Sequence, residues 1–467
     1  MKQPMKQFAI AAFFGFALSA LPAAAADFDH KNGNGRQLLV RSGAIDTVAV
    51  RYGLRVLDSQ LAADGTLYLV EAPAGADVRA LAGRLASDNA VVMAEVASLA
   101  ALPAQLASSP LLLEAAPDLA RTGTYANGCQ ATYLGATWAG YADQRAARSI
   151  HLHEAHNASL FCGAGVKIAV IDTGVDEHHP LLASAMLPGF DVFDSTGIGS
   201  DWSNLDHSVR AIVEHSVRAI VEESAQGQAF PAGAAGAVLG EDAVLAFHDT
   251  TLPAYFGHGT MVAGLIRLAA PGARIVPIRA FDGDGTANVF DLVRAIYWAT
   301  DNGANVINMS FSLADPPREL RSALRYAESR GVVLVAAAGN QGSLSRIYPA
   351  AFPEVLGVAA QANSADGSLA AFSNYGPSVA EIAAPGSALI TTFPGGLYAA
   401  SWGTSFSSPL VAGSAALLLE RPLGTGCQVG REVNRDLLFG ATQRSTLVGK
   451  VLSGQLDVYG SWLLAGN

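Results

Sequence analysis

Four stretches of this chain are apolar almost without interruption: Val166–Ile171, Ile275–Ile278, Ala304–Met309 and Gly331–Ala338. A strand with one face in water alternates apolar and polar residues. Runs without alternation predict strands buried on both faces, as in a parallel sheet covered by helices. The segments 261–269, 289–301 and 318–329 between them carry helical periodicity. Strand and helix alternate from about residue 165, which predicts the α/β class and a doubly wound parallel sheet. Such sheets bind ligands beyond the carboxyl ends of their strands, so the polar residues just past each run are the ones to read for chemistry.

The 467 residues suit two or three domains, and 51% hydrophobic against 15% charged residues supports a large core rather than a disordered chain. A net charge of −11 with no Lys/Arg-rich run excludes nucleic-acid binding. Residues 1–26 read as an export signal: Lys2 and Lys6, an apolar run from Phe8 to Leu21, then Ala23–Ala26 as a cleavage region. That run is too short to span a bilayer, and no later segment predicts a stable membrane span. Between 37 and 96 the order is strand (Gln37–Arg41), helix (Ala44–Val56), strand (Gly65–Ala72), helix (Asp77–Ser87) and strand (Ala90–Val96), a small α+β unit. Residues 101–144 follow as a linker rich in Ala, Pro, Ser, Gly and Thr, open to proteolysis. Cys129, Cys162 and Cys427 allow one intramolecular bridge, drawn in three ways, and no spacing suggests zinc. The octapeptide His207–Glu214 recurs at His215–Glu222 with apolar residues at helical spacing, a local duplication that extends one amphipathic helix.

Three short segments carry the chemistry together. Asp172, in Ile-Asp-Thr-Gly, lies just past a buried strand, while His258 in Gly-His-Gly-Thr and Ser405 in Gly-Thr-Ser-Phe-Ser each open a helix. A hydroxyl is a weak nucleophile near neutral pH and needs a base, and the base needs a carboxylate to fix its tautomer and stabilise its cation. Asn340 ends another buried strand with an amide that, joined by the Ser405 N–H, would hold a developing oxyanion.

These four segments, in the order Asp, His, Asn, Ser, resemble the subtilisin-like serine proteases (subtilases, peptidase family S8) over roughly residues 145–467. Phe372–Gly376 and Ala384-Pro385-Gly386 also read as family text. The resemblance implies that Asp172 orients, His258 acts as base and then acid, Ser405 attacks a peptide carbonyl, and Asn340 donates to the oxyanion. It implies an exported endopeptidase, periplasmic or extracellular and monomeric, that acts on proteins and peptides. The amino-terminal unit, residues 27–100, resembles the family's ferredoxin-like inhibitory propeptide, an intramolecular inhibitor cut away by the enzyme itself. Ser310, Phe311 and Ser312 resemble a wall of the primary substrate pocket, with Ile347 near its floor and Gly339 also among the substrate-binding residues, which implies small or medium apolar side chains there.

The chain departs from the family pattern between Asp172 and His258, where an insertion of about 190–256 carries the duplicated octapeptide. No cofactor is expected. The loop in which many relatives bind calcium has no room after the His258 helix, and Asp282-Gly283-Asp284-Gly285 lacks the spacing of an EF-hand and reads as a turn. An α/β-hydrolase esterase would need Gly-x-Ser-x-Gly and Ser first in the chain order, neither of which this sequence has. A silent binding protein on the same scaffold is countered by the complete Asp172, His258, Asn340, Ser405 set.

Overall fold

The structure is a computed structural model that describes residues 35–102, 111–113, 129, 139–159, 161–194, 199–205, 252–420 and 427–465. The export-signal segment, the duplicated octapeptide and most of the insertion lie outside the described residues.

The amino-terminal unit runs β1 (Gln37–Arg41), α1 (Ile45–Tyr52), β2 (Arg55–Ala62), β3 (Gly65–Glu71), α2 (Val78–Ala86) and β4 (Met93–Val96). Its strands form one antiparallel sheet in the order β2-β3-β1-β4, the ferredoxin-like arrangement. The helix expected over Ala44–Val56 ends at Tyr52, because Gly53 takes a left-handed conformation with φ 67° and caps it. The chain then enters β2, an additional strand. β2 is an edge strand with nearly every side chain at least partly exposed, so it carries no apolar alternation to read.

Alternation along β1 gives this unit two packing faces. Leu38 and Val40 join Val48, Leu81 and Leu85 in the unit's own core, while Leu39 joins Leu67 against the larger domain. After β5 (Leu99–Ala101) and β6 (Leu111–Leu113), the larger domain opens with α3 (Ala139–Ala142), α4 (Arg145–Ser149) and α5 (Leu152–Ala158). Its core takes in the buried Tyr141, just ahead of the boundary expected at 145. Cys129 is bonded to Cys162, which settles the pairing left open in the sequence; the Cys427 side chain lies outside the described residues.

The domain is built on β7 (Lys167–Asp172), β8 (Phe190–Asp191), β9 (Arg274–Arg279), β11 (Val306–Met309), β12 (Val333–Ala337), β13 (Leu356–Gln361) and β14 (Ile382–Pro385). They form a seven-stranded parallel sheet in the order β14-β13-β12-β11-β7-β9-β8. The short β10 (Thr286–Asn288) lies outside it and pairs with β5. The doubly wound parallel sheet is therefore present as expected. Along β7, Ile168 and Val170 face the cluster that holds α6 (His258–Ala269), whereas Ala169 and Ile171 face the cluster that holds α7 (Val289–Asp301) and α8 (Arg318–Ser329). Successive side chains of a strand point to opposite faces, and both faces here are covered. A hairpin, β15 (Ser387–Phe393) with β16 (Leu397–Trp402), accepts β6 on its edge and leads into α9 (Thr404–Leu419). Helices α10 (Cys427–Gly440) and α11 (Val458–Ala465) close the domain. Strand order reverses about β7, so the carboxyl ends of β7, β11 and β12 meet at the switch point. Among the described residues no helix is long and apolar enough to cross a membrane.

Candidate active site

β7 delivers Asp172 at its last residue, and α6 begins at His258. The helix sits hard against the strand because residue 259 is glycine: a Cβ there would lie 1.9 Å from the Gly174 carbonyl oxygen. This approach brings His258 Nδ1 to 2.7 Å from Asp172 Oδ1, with both side chains buried. The same Oδ1 accepts the Thr173 N–H at 2.8 Å. A carboxylate beside Nδ1 places the proton on that nitrogen and leaves Nε2 as the basic atom. Nε2 is buried and makes no hydrogen bond among the described residues.

α9 begins at Thr404, so the Ser405 N–H belongs to its first turn, where the helix dipole favours negative charge. Ser405 Oγ donates to the Ser310 carbonyl oxygen at 3.2 Å. The His258 ring lies against Phe406, the next residue, with centroids 5.2 Å apart. Base and hydroxyl thus face one region without a bond between them, and catalytic hydrogen bonds commonly tighten only when substrate is bound.

Asn340 follows β12. Its Oδ1 accepts from the Thr404 N–H at 3.0 Å and from the Thr404 hydroxyl at 2.9 Å, and Thr404 Oγ1 accepts the Gly339 N–H at 3.0 Å. With the carbonyl oxygen occupied in this way, Nδ2 is turned toward Gly403, where an added Cβ would come within 3.1 Å of it. The amide donor and the Ser405 N–H therefore flank the same space. Ile347 is buried beneath Gly339, whose added Cβ would meet Ile347 Cδ1 at 2.4 Å. The Phe311 side chain is fully buried and packs on Phe281, with ring centroids 5.2 Å apart. Ser312 pairs through its backbone with Ala101.

Asp201, unmarked in the sequence, ties the two sides of the site together. It is fully buried, accepts the Thr173 hydroxyl at 2.6 Å and the Thr260 N–H at 3.0 Å, and also accepts the Thr260 hydroxyl. Thr173 Oγ1 in turn accepts the Gly259 N–H at 3.0 Å, so one carboxylate joins the end of β7 to the start of α6. Burial pushes its carboxyl up to about 7, against the Thr173 and Thr260 hydrogen bonds and with help from the Asp172 charge. Thr173 and Thr260 belong to the short motifs and were the available clue. Asp201 stands in Ser-Asp-Trp-Ser-Asn, which has no such mark.

The chain's own segment also approaches the site. β5 pairs antiparallel with β10, Ala101 and Ser312 exchange backbone hydrogen bonds at 3.1 and 2.9 Å, and the Leu102 N–H donates to the Gly285 carbonyl at 2.9 Å. A short extended strand thus lies between Gly285–Asn288 and Ser312, adjacent to Ser310 and Ser405. Asp282 spends its carboxylate on the N–H groups of Asp284 and Thr286 and on the Thr286 hydroxyl, as a turn residue does. Among the described residues no group of three or more His, Cys, Asp or Glu could hold a metal ion.

Comparison with known proteins agrees with this geometry. A model of the subtilase family (peptidase S8) matches residues 163–438. The chain is 36% identical over 255 residues to a thermophilic serine proteinase of Bacillus sp. (strain AK1), covering 55% of this chain and 52% of that protein. It is 33% identical over 256 residues to thermitase of Thermoactinomyces vulgaris, covering 55% and 75%. The chain therefore spans about half the length of the Bacillus relative. Its fold is similar to that of fervidolysin from Fervidobacterium pennivorans, a keratinolytic enzyme related to subtilisin. The TM-score is 0.65 at 20% identity over 92% of this chain and 61% of that one.

Proposed function

The chain belongs to the subtilase family, and from that membership we propose that it is an exported serine endopeptidase made as a self-inhibited, self-processing precursor. The observation that carries the reading is the buried Asp172–His258 pair at 2.7 Å, set at the switch point beside Ser405. In the proposed reaction Ser405 Oγ attacks a peptide carbonyl while His258 Nε2 takes its proton, and the Asn340 amide and the Ser405 N–H receive the oxyanion. His258 then returns the proton to the leaving amine, and water releases the acyl group from Ser405 by the same route. Asp172 holds the ring in place and stabilises the imidazolium. The reaction calls on no metal or organic cofactor.

In this reading residues 1–26 direct export to a periplasm or the medium, residues 27–100 form the inhibitory propeptide, and 101–144 is the processing region. Residues 145–467 form a monomeric catalytic domain with its insertion at about 190–256. The inhibitor assignment is supported by β5, which fills the strand-binding edge at Ser312 with the chain's own backbone. The test compares the precursor lacking its signal with a Ser405→Ala partner, following intact mass and casein hydrolysis. The parent is expected to lose about a hundred residues and digest casein, while the partner does neither. A correctly folded parent that stays whole and inactive would overturn the proposal.

A further inference from the structure

The side chains of the segment beside Ser312 alternate sharply in burial. Ala100 and Leu102 are 1% and 3% exposed, whereas Ala101 between them is open to solvent. In an extended strand alternate side chains share one face, so the protein reads positions 100 and 102 and ignores 101. Leu102 is held by backbone on both sides of its Cα. Its N–H donates to the Gly285 carbonyl at 2.9 Å, and its own carbonyl accepts the Tyr255 hydroxyl at 3.4 Å. The Tyr255 ring lies flat on Gly285, where an added Cβ would meet Cδ2 at 2.4 Å, and stands edge to face with His258 at a centroid distance of 6.3 Å. Its backbone is pinned as well, with its N–H donating to the Gly283 carbonyl at 3.1 Å and its carbonyl accepting the His258 N–H at 3.1 Å.

We propose that Tyr255 is a specificity-determining residue that selects an apolar side chain at the substrate position Leu102 occupies. The inference rests on the peptidase reading above and on β5 lying where a substrate strand would lie. A side chain at that position is removed from water beside an aromatic face. A Leu gains from that burial, whereas a Glu or Lys must shed its hydration to enter. The phenol hydroxyl adds a sequence-independent hold on the backbone carbonyl. The substrate is thus an extended peptide with a small residue at the Ala100 position and an apolar one two residues later. Tyr255 lies three residues past Leu252, where the described part of the insertion resumes, so this selectivity belongs to a part of the chain that departs from the family pattern.

The test uses self-processed enzyme and extended peptides that differ only at the Leu102 position, carrying Leu, Gly or Glu. Wild type is expected to favour Leu over Glu by about a hundredfold in kcat/KM, the order that one well-formed pocket supplies. Tyr255→Ala should bring that ratio below about tenfold. Tyr255→Phe should keep the ratio and lower kcat/KM for every peptide by about fivefold, the worth of one neutral hydrogen bond. An unchanged Leu-to-Glu ratio in Tyr255→Ala, or no preference in wild type, overturns the proposal. A second variant guards against misfolding of Tyr255→Ala: Leu102→Glu in the whole precursor should slow self-processing at least about tenfold, and unaltered processing overturns the proposal too. Wild type that cleaves neither casein nor any peptide would overturn the peptidase reading itself, a result distinct from active enzyme without this selectivity.

Discussion

The Ser310 hydroxyl donates to the carbonyl oxygen of Ser405 at 2.8 Å. Pro409 is the reason that carbonyl is free: four residues on in α9, it has no N–H to give. Ser310 Oγ also accepts from Asn308 Nδ2 at 2.9 Å and lies 3.2 Å from Ser408 Oγ, which uses the full capacity of one hydroxyl. Ser310→Ala therefore leaves a buried carbonyl, an amide and a hydroxyl short of a partner at once. Denaturant unfolding in a Ser405→Ala background, where self-digestion cannot interfere, should show a loss of about 1–3 kcal/mol.

Thr404 fixes which way the Asn340 amide points. Both of its donors, N–H and hydroxyl, go to Asn340 Oδ1. Thr404→Val keeps the shape and the N–H but removes the hydroxyl, so the carboxamide loses one of the two bonds that set its orientation. A donor aimed at charge that develops only in the transition state acts on kcat, so kcat should fall by up to about a hundredfold with KM little changed. Thr404→Ser should restore most of it. A change in KM alone would count against this role.

Arg41, buried in β1, pairs with Glu319 in the first turn of α8, while Glu95 from β4 accepts the N–H groups of Arg318 and Glu319 at 3.0 and 3.2 Å. The amino-terminal unit thus caps a helix of the larger domain. Burial raises both carboxyls above the usual range, against those hydrogen bonds and, at Glu319, against Arg41. A carboxyl raised in the docked state binds its proton more tightly there than when the units separate. The contribution to docking is full at acid pH and is lost as pH rises through the shifted values. In the Ser405→Ala precursor, hydrogen exchange at residues 37–41 and 318–321, corrected for the intrinsic rate, should be less protected at about pH 8 than at about pH 5. Arg41→Ala should cost about 3 kcal/mol of protection at about pH 8, because it strands an ionised Glu319, and less at about pH 5, where the carboxyl can take up a proton.

The sheet was legible because β7, β11 and β12 are buried on both faces and say so in continuous apolar runs. Asp172, His258, Asn340 and Ser405 were legible because each lies at the end of such a run or the start of a helix, inside a short motif. β2 was not, since an exposed edge strand needs no apolar pattern. Nor was the setting of Phe311: its neighbours assign it to a pocket wall, but only tertiary packing shows it on Phe281. Asp201 and Tyr255 stand near either described edge of the insertion, and their contacts with Thr173, Thr260 and Leu102 are long-range ones that local spacing does not encode.

Asp201 gives the most direct electrostatic test of the site. Its carboxyl sits at about 7 in the folded protein, against an ordinary value of 3.8. A carboxyl raised on folding contributes stability that is complete below the unfolded value and is lost as pH climbs through the folded one. Stability of the Ser405→Ala protein should therefore fall between about pH 4 and pH 7 through this residue, and Asp201→Asn should remove that part of the slope. Activity should respond in the other sense. The asparagine has one acceptor oxygen for the Thr260 side but cannot also accept from the Thr173 hydroxyl, so the bracket joining β7 to α6 is loosened and kcat should drop about tenfold. A drop in kcat with the stability slope unchanged would mean that Asp201 acts through its bracket and not through its protonation. Loss of the slope with kcat intact would mean that the carboxyl bears on folding while its hydrogen bonds to Thr173 and Thr260 are not needed to hold the site.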